Sequence, residues 1–156
     1  MTTLSLLALA VVGQTAATPA VTRVKTIDHI KTIAVKGAPT GSKFAVSDYS
    51  SVVRVMDAKT GSTVFTLSGH PQPAFGLAFT PNGQQLVTGD ESGRIWVWDL
   101  KNGKKVREFP RTAQTHARGI QALSFSTDGK TMYSTGKDDV VIVWDFATAK
   151  PKLRVQ

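Results

Sequence analysis

At 156 residues, 41% hydrophobic and 19% charged, the chain is sized for one modest domain with its own core. It has no cysteine, which excludes disulfides and a cysteine-borne lipid anchor. A net charge of +8 favours anionic partners, but the basic residues are dispersed. Lys101, Lys104, Lys105, Arg107 and Arg111 form the only dense group, on a turn and the strand it leads into, where charge protects a sheet edge. A nucleic-acid site would interleave exposed aromatics, and this group has only Phe109, so nucleic acid is disfavoured as a partner.

Residues 1–20 read as a signal peptide or a disordered leader. Leu4 to Val12 is an apolar run followed by Gly13 and Gln14, with Thr15 and Ala17 placed as small residues before a cleavage site. No Lys or Arg precedes the run. It is shorter than the roughly twenty residues that span a bilayer, so no transmembrane anchor is expected. Export to the periplasm or the extracellular space is the expectation, with a cytoplasmic protein as the alternative.

From Val21 onward the chain is periodic, with repeats at about 28–69, 70–115 and 116–156. Val21 to His29 reads as an extra outer strand ahead of the first repeat. The second and third copies align without a gap at an offset of about 46 residues: Gly69-His70 falls on Thr115-His116, and Phe79 on Phe125. Each copy ends in a similar phrase, Val55-Met56-Asp57, Val97-Trp98-Asp99 and Val143-Trp144-Asp145, with the first copy the faintest.

Within the second repeat the apolar period is two. Ile95 and Val97 fall on one strand face and Trp96 and Trp98 on the other, which predicts a strand covered on both sides. Three further runs, Phe75 to Thr80, Gln84 to Gly89 and Lys105 to Phe109, are separated by Pro81-Asn82-Gly83, Glu91-Ser92-Gly93 and Lys101-Asn102-Gly103. Asn and Gly there supply the positive φ that tight hairpins need. The fold class is therefore all-β, with each repeat a four-stranded antiparallel meander.

Gly69-His70, Phe79 to Gly83, Trp98-Asp99, His116, Phe125 to Gly129 and Trp144-Asp145 together resemble the WD-repeat β-propeller family, over roughly residues 21–156. The resemblance implies three propeller blades, each with a hydrogen-bonded set of His, Ser or Thr, Asp and Trp. The third repeat has His116, Ser134, Asp138 and Trp144. The second has His70, Thr88 and Trp98, with Ser92 where Asp is usual. The first has Met56 for Trp and Ser50 for Asp, so order is expected to decline from the third blade to the first. The resemblance also marks Tyr49, Phe75, Glu91, Gln121 and Lys137 as a partner-binding rim. Phe75 is the strongest of these, unless it packs beneath Pro71-Gln72-Pro73.

Closed propellers use about four to eight blades, so three leave two blade faces uncovered. Two copies completing a six-blade ring would satisfy both faces, as would further blades of a longer chain. Catalytic and metal chemistry leave little trace. The histidines and Asp57, Asp99 and Asp145 recur in phase with the fold, whereas an active site needs its groups once. Asp138-Asp139 lacks the ligand spacing of a calcium loop, and no Gly-x-Ser-x-Gly elbow or phosphate loop occurs. The expectation is an exported, bacterial-type, non-enzymatic module without cofactor or metal that binds another protein. A self-assembling structural block is the alternative, and a channel enzyme or cofactor binder the lesser one.

Overall fold

The structure, a computed structural model, describes residues 31–156. The leader and the extra strand expected at Val21 to His29 lie outside the described residues. These residues form twelve strands in three four-stranded antiparallel sheets. The first sheet holds β1 (Thr32–Gly37), β2 (Lys43–Asp48), β3 (Val53–Asp57) and β4 (Thr63–Leu67). The second holds β5 (Ala74–Phe79), β6 (Gln85–Asp90), β7 (Ile95–Asp99) and β8 (Lys104–Glu108). The third holds β9 (Ile120–Phe125), β10 (Thr131–Gly136), β11 (Val141–Asp145) and β12 (Lys150–Val155). Each sheet is a meander in chain order, as the period and the turns predict, and the predicted runs fall within a residue or so of the observed strands.

The alternation on β7 organises the packing. Ile95 and Val97 enter a cluster with Ile120, Leu123, Met132, Ile142 and Trp144 of the third sheet. Trp96 and Trp98 enter another with Ala45, Val53, Val55 and Leu67 of the first. The middle sheet is thus buried on both faces, and the core consists of two junctions between blades rather than one central mass. Each large side chain fully buried in this way contributes about 1.5–3 kcal/mol.

The first strands of the sheets lie side by side, β1 against β5 and β5 against β9. Two register shifts recur in phase. One falls between first and second strands, at Thr32/Ala34, Ala74/Gly76 and Thr135/Gly136. The other falls between third and fourth, at Val55/Met56, Val97/Trp98 and Val143/Trp144. Such bulges bend the strand and raise its twist, so each outer strand is turned just where the Trp or Met is placed.

The outer strands are largely exposed, as is β1 of the first sheet. Lys104, Lys105 and Val106 of β8 lie in solvent, as do most of β12. Arg107 of β8 instead reaches across the junction, donating to the carbonyls of Phe146 at 2.6 Å and Ala147 at 2.8 Å. On the third sheet, Tyr133, Val141, Leu153 and Val155 are 40%, 39%, 55% and 48% exposed. Tyr133 pairs with Val143, which pairs with Leu153, and Val141 pairs with Val155, so this apolar surface is one continuous sheet face.

Candidate functional site

Two buried relays stand at matched places in the second and third blades. In the second, the Trp98 indole N–H donates to the Thr88 hydroxyl at 2.8 Å, Thr88 lies 2.6 Å from His70 Nε2, and His70 Nδ1 lies 2.8 Å from Asp90. In the third, Trp144 donates to Ser134 at 2.8 Å, Ser134 lies 2.7 Å from His116 Nε2, and His116 Nδ1 lies 2.9 Å from Asp138. Directions follow from donor counting. The hydroxyl accepts from indole and has one proton of its own, which it gives to Nε2, so the imidazole carries its proton on Nδ1 and donates it to the carboxylate. Each side-chain N–H and O–H in the two relays then has an acceptor, which a buried site demands.

Burial would raise the Asp90 carboxyl, but hydrogen bonds from His70, Ser92 and the Arg94 backbone outweigh it and hold the group below the usual carboxylate range. Asp138 follows the same pattern: burial raises it, and the bonds from His116 and the Ala117 N–H bring it down further.

Ser134, His116 and Asp138 have the connectivity of an acyl-transfer triad. Two features set them apart from a working one. The Ser134 oxygen already accepts the indole N–H, and the residue is 1% exposed, so no carbonyl carbon can approach it. Repetition of the arrangement at Thr88 indicates a part of the blade rather than a unique reactive centre. Asp57, Asp99 and Asp145 likewise serve their turns: Asp57 accepts from Lys59, Thr60 N and Thr60 Oγ1, Asp99 from Lys101, and Asp145 from Thr148. The backbone and hydroxyl bonds from Thr148 lower the Asp145 carboxyl to about 2. Asp138 faces His116, while Asp139 sits exposed in a turn at φ 57°, so the adjacent pair does not converge as calcium ligands.

The second blade corrects the sequence reading. Ser92 does not leave that set without a carboxylate, because Asp90, two residues earlier, supplies it, and Ser92 buttresses Asp90 through its N–H at 2.9 Å and hydroxyl at 2.6 Å. Asp90 aligns with Gly136 of the third blade. A Cβ at Gly136 would lie 2.4 Å from His116 Nδ1 and 2.5 Å from Asp138 Oδ1, so glycine there leaves the space into which Asp138 reaches back. The exchange of Asp for Gly in one register and of Ser for Asp two residues on is the signal that locates Asp90 in the sequence. With the second set complete, the declining order expected from Trp144 through Trp98 to Met56 loses its first step.

The first blade keeps the carboxylate and loses the relay. Ser50 again serves the residue two before it, bonding Asp48, which also accepts from Arg54 at 2.5 Å. Val46 occupies the hydroxyl position and Met56 the Trp position, so no hydrogen-bond chain can run between them.

The five rim residues flank the turns at one end of the blades. Tyr49, Glu91 and Lys137 each follow a second strand directly, and Phe75 and Gln121 are second in β5 and β9. Backbone bonds hold the turns to their neighbours, Glu91 N–H to Pro73 O at 2.9 Å and Lys137 N–H to Gly119 O at 2.8 Å. Four of the five meet. The Tyr49 and Phe75 rings lie edge to face with centroids 6.4 Å apart. The Lys137 ammonium lies 5.1 Å from the Phe75 centroid and 2.5 Å from Glu91 Oε1. Tyr49 belongs to the first blade, Phe75 and Glu91 to the second and Lys137 to the third, so the patch crosses both junctions. Gln121 is exposed and enters none of these contacts. Phe75 is half-buried against Tyr49 and Lys137, an arrangement between free anchor and core residue. The ion pair, about 40% exposed on both sides, contributes about 0–1 kcal/mol.

Near the opposite end a cleft is lined by Lys36, Pro39, Phe79, Pro81, Phe125 and Thr127, among others. Among the described residues that line it, Lys36 is the only ionisable one. No helix among the described residues is long and apolar enough to cross a membrane.

Comparison with known proteins agrees with this geometry. The family described as "WD domain, G-beta repeat" matches residues 61–99 and 103–145. Each match begins near the third-to-fourth strand turn of one blade and closes on the Trp-Asp of the next, so the sequence repeat straddles two sheets. The nuclear distribution protein nudF of Emericella nidulans is 30% identical over 96 residues, 61% of this chain and 21% of that protein. WD repeat-containing protein 1 of Gallus gallus is 33% identical over 81 residues, covering 52% and 13%. Coronin-7 of Bos taurus is 34% identical over 95 residues, covering 60% and 10%. The chain thus spans at most 21% of the length of these relatives. With two family matches in register with the paired His, hydroxyl, Asp and Trp relays, the chain belongs to the WD-repeat family.

Proposed function

We propose that the protein is a non-enzymatic interaction scaffold whose blades present the Tyr49, Phe75, Glu91 and Lys137 rim to another protein. One observation carries this reading: residues from all three blades converge on a single patch, with Tyr49 62% exposed beside Phe75. Exposed aromatic pairs on a rigid frame supply contact area at low entropic cost, and aromatics dominate interface energetics. The two relays are saturated internally and serve to hold the blades that position the patch. The test is capture from native extract with wild-type, Phe75→Ala and Tyr49→Ala baits, and Val106→Ala on β8 as control. Loss of one partner set with both rim variants is expected, and identical capture by all four baits would defeat the reading.

The open face of the third blade favours a second reading, association of two copies, in which Tyr133, Val141, Leu153 and Val155 are covered by the partner copy as in a six-blade ring. Exposed apolar surface of this continuity marks association sites. Sedimentation of the purified chain tests it: a dimer abolished by Val141→Asp supports self-assembly, and a strict monomer with a cooperative melt removes it. Export is inferred from the leader alone, and intact-mass measurement after expression with a secretion-competent host reads cleavage directly.

A further inference from the structure

We infer that the rim contains a receptor for a basic side chain, which Lys137 occupies from within the chain until an arginine-bearing partner displaces it. The inference rests on the rim reading above and adds the chemistry of what docks there. Two groups of the second blade, the Phe75 ring face and the Glu91 carboxylate, converge on one ammonium. An aromatic face beside a carboxylate is the combination that binds cations, because the ring quadrupole and the negative charge attract the same pole. The occupant comes from the next blade, on a flexible side chain 42% exposed, opposite a carboxylate 40% exposed. The Lys137 backbone is held by its bond to Gly119 O, so its side chain can leave without moving the turn.

Lysine is the weaker of the natural occupants. A guanidinium is planar and always charged, and it can stack on a ring while forming paired bonds to a carboxylate. Tyr49 of the first blade packs perpendicular to the Phe75 ring, with centroids 6.4 Å apart. A tethered lysine competes at high effective concentration, so it lowers the apparent affinity for an incoming arginine by the fraction of time it holds the site.

The test uses the full chain and a capped Gly-Arg-Gly peptide, with capped Gly-Glu-Gly for comparison, followed by NMR of the aromatic rings. Lys137→Gln is expected to bind the arginine peptide roughly threefold to tenfold more tightly than wild type, and Glu91→Gln in addition is expected to abolish the gain. Lys101→Gln makes the same charge change on a turn away from the rim and is expected to leave binding unaltered, which separates a specific vacancy from reduced net charge. Equal affinity in wild type and Lys137→Gln, or an equal gain in Lys101→Gln, overturns the proposal. So does tighter binding of the acidic peptide to wild type, which would make Lys137 the receptor for an anion. Because the probe is a peptide, its failure alongside Phe75-dependent partner capture removes the cation receptor and leaves the rim reading standing. Its success without such capture does the reverse.

Discussion

Asp90 and Gly136 occupy the same register position in successive blades, and each is compatible with only one way of holding the histidine. Asp90 places its own carboxylate on His70, whereas the missing side chain of Gly136 opens the path by which Asp138 reaches His116. Exchanging the two solutions tests their equivalence. Gly136→Asp alone crowds two carboxylates around one imidazole and is expected to cost about 1–3 kcal/mol. Asp138→Ser alone strands the His116 and Ala117 N–H groups and is expected to cost a similar ~1–3 kcal/mol. The double variant recreates the Asp90 and Ser92 arrangement, and urea midpoints are expected to show it recovering most of the loss. A purely additive double-mutant cycle would contradict the shared role.

Thr88 is the branch point of its relay, accepting from Trp98 and donating to His70, so its removal strands two partners. Thr88→Val preserves shape and is expected to cost about 2–4 kcal/mol, since each stranded buried group carries a penalty of about 1–3 kcal/mol. Trp98→Phe removes one donor and leaves the hydroxyl proton engaged, so denaturation should show a smaller loss from the hydrogen bond, compounded by the smaller ring. Val46 stands at this position in the first blade, where Val46→Ala is expected to report packing alone.

Much of this architecture is legible in the sequence because repetition supplies the missing alignment. A period of two across Ile95 to Trp98 forecasts a strand buried on both sides, and the two junction clusters divide those four residues as the period says. The buried relays follow from the resemblance, except at Asp90. Fixed-position matching fails there because side-chain reach compensates for a shift of two residues, which the sequence carries only as the paired exchange of Asp90 for Gly136 and Ser92 for Asp138, and which the space at Gly136 explains. The rim residues are predicted one by one, but their mutual contacts are not. The Lys137, Phe75 and Glu91 contacts cross a junction between repeats, and periodicity carries no information on which side chain bridges it.

Acid sensitivity follows from the carboxylates. Asp48, Asp90 and Asp138 are held below the ordinary range against the opposing effect of burial, and hydrogen bonds to the Thr148 backbone and hydroxyl bring Asp145 to about 2. A carboxyl depressed in the folded state contributes stability that is complete above its unfolded pKa of about 4 and disappears as pH falls through its folded value. Stability measured by urea titration should therefore be level above about pH 5 and fall steadily toward pH ~2. Asp90→Asn is expected to lower the plateau and flatten the descent. An unchanged slope would show that Asp90 titrates alike in both states.

Arg107 joins the second and third blades by contacts that a lysine cannot reproduce. Its two terminal nitrogens donate to the Phe146 and Ala147 carbonyls, and its guanidinium lies 4.8 Å from the Phe146 ring centroid and 5.1 Å from that of Phe109. A planar fork serves two carbonyls and two rings together, while an ammonium is a point charge. Arg107→Ala is expected to cost about 1–3 kcal/mol, combining lost stem packing with lost charge-assisted bonds, and Arg107→Lys is expected to recover less than half of that. Hydrogen exchange locates the effect. Amides of β8 and of the turn after β11 should lose protection, while those of β2 and β3, beyond the other junction, should keep theirs. Uniform loss through all three sheets would mean that the blades open as one cooperative unit and that this junction is not a separable boundary.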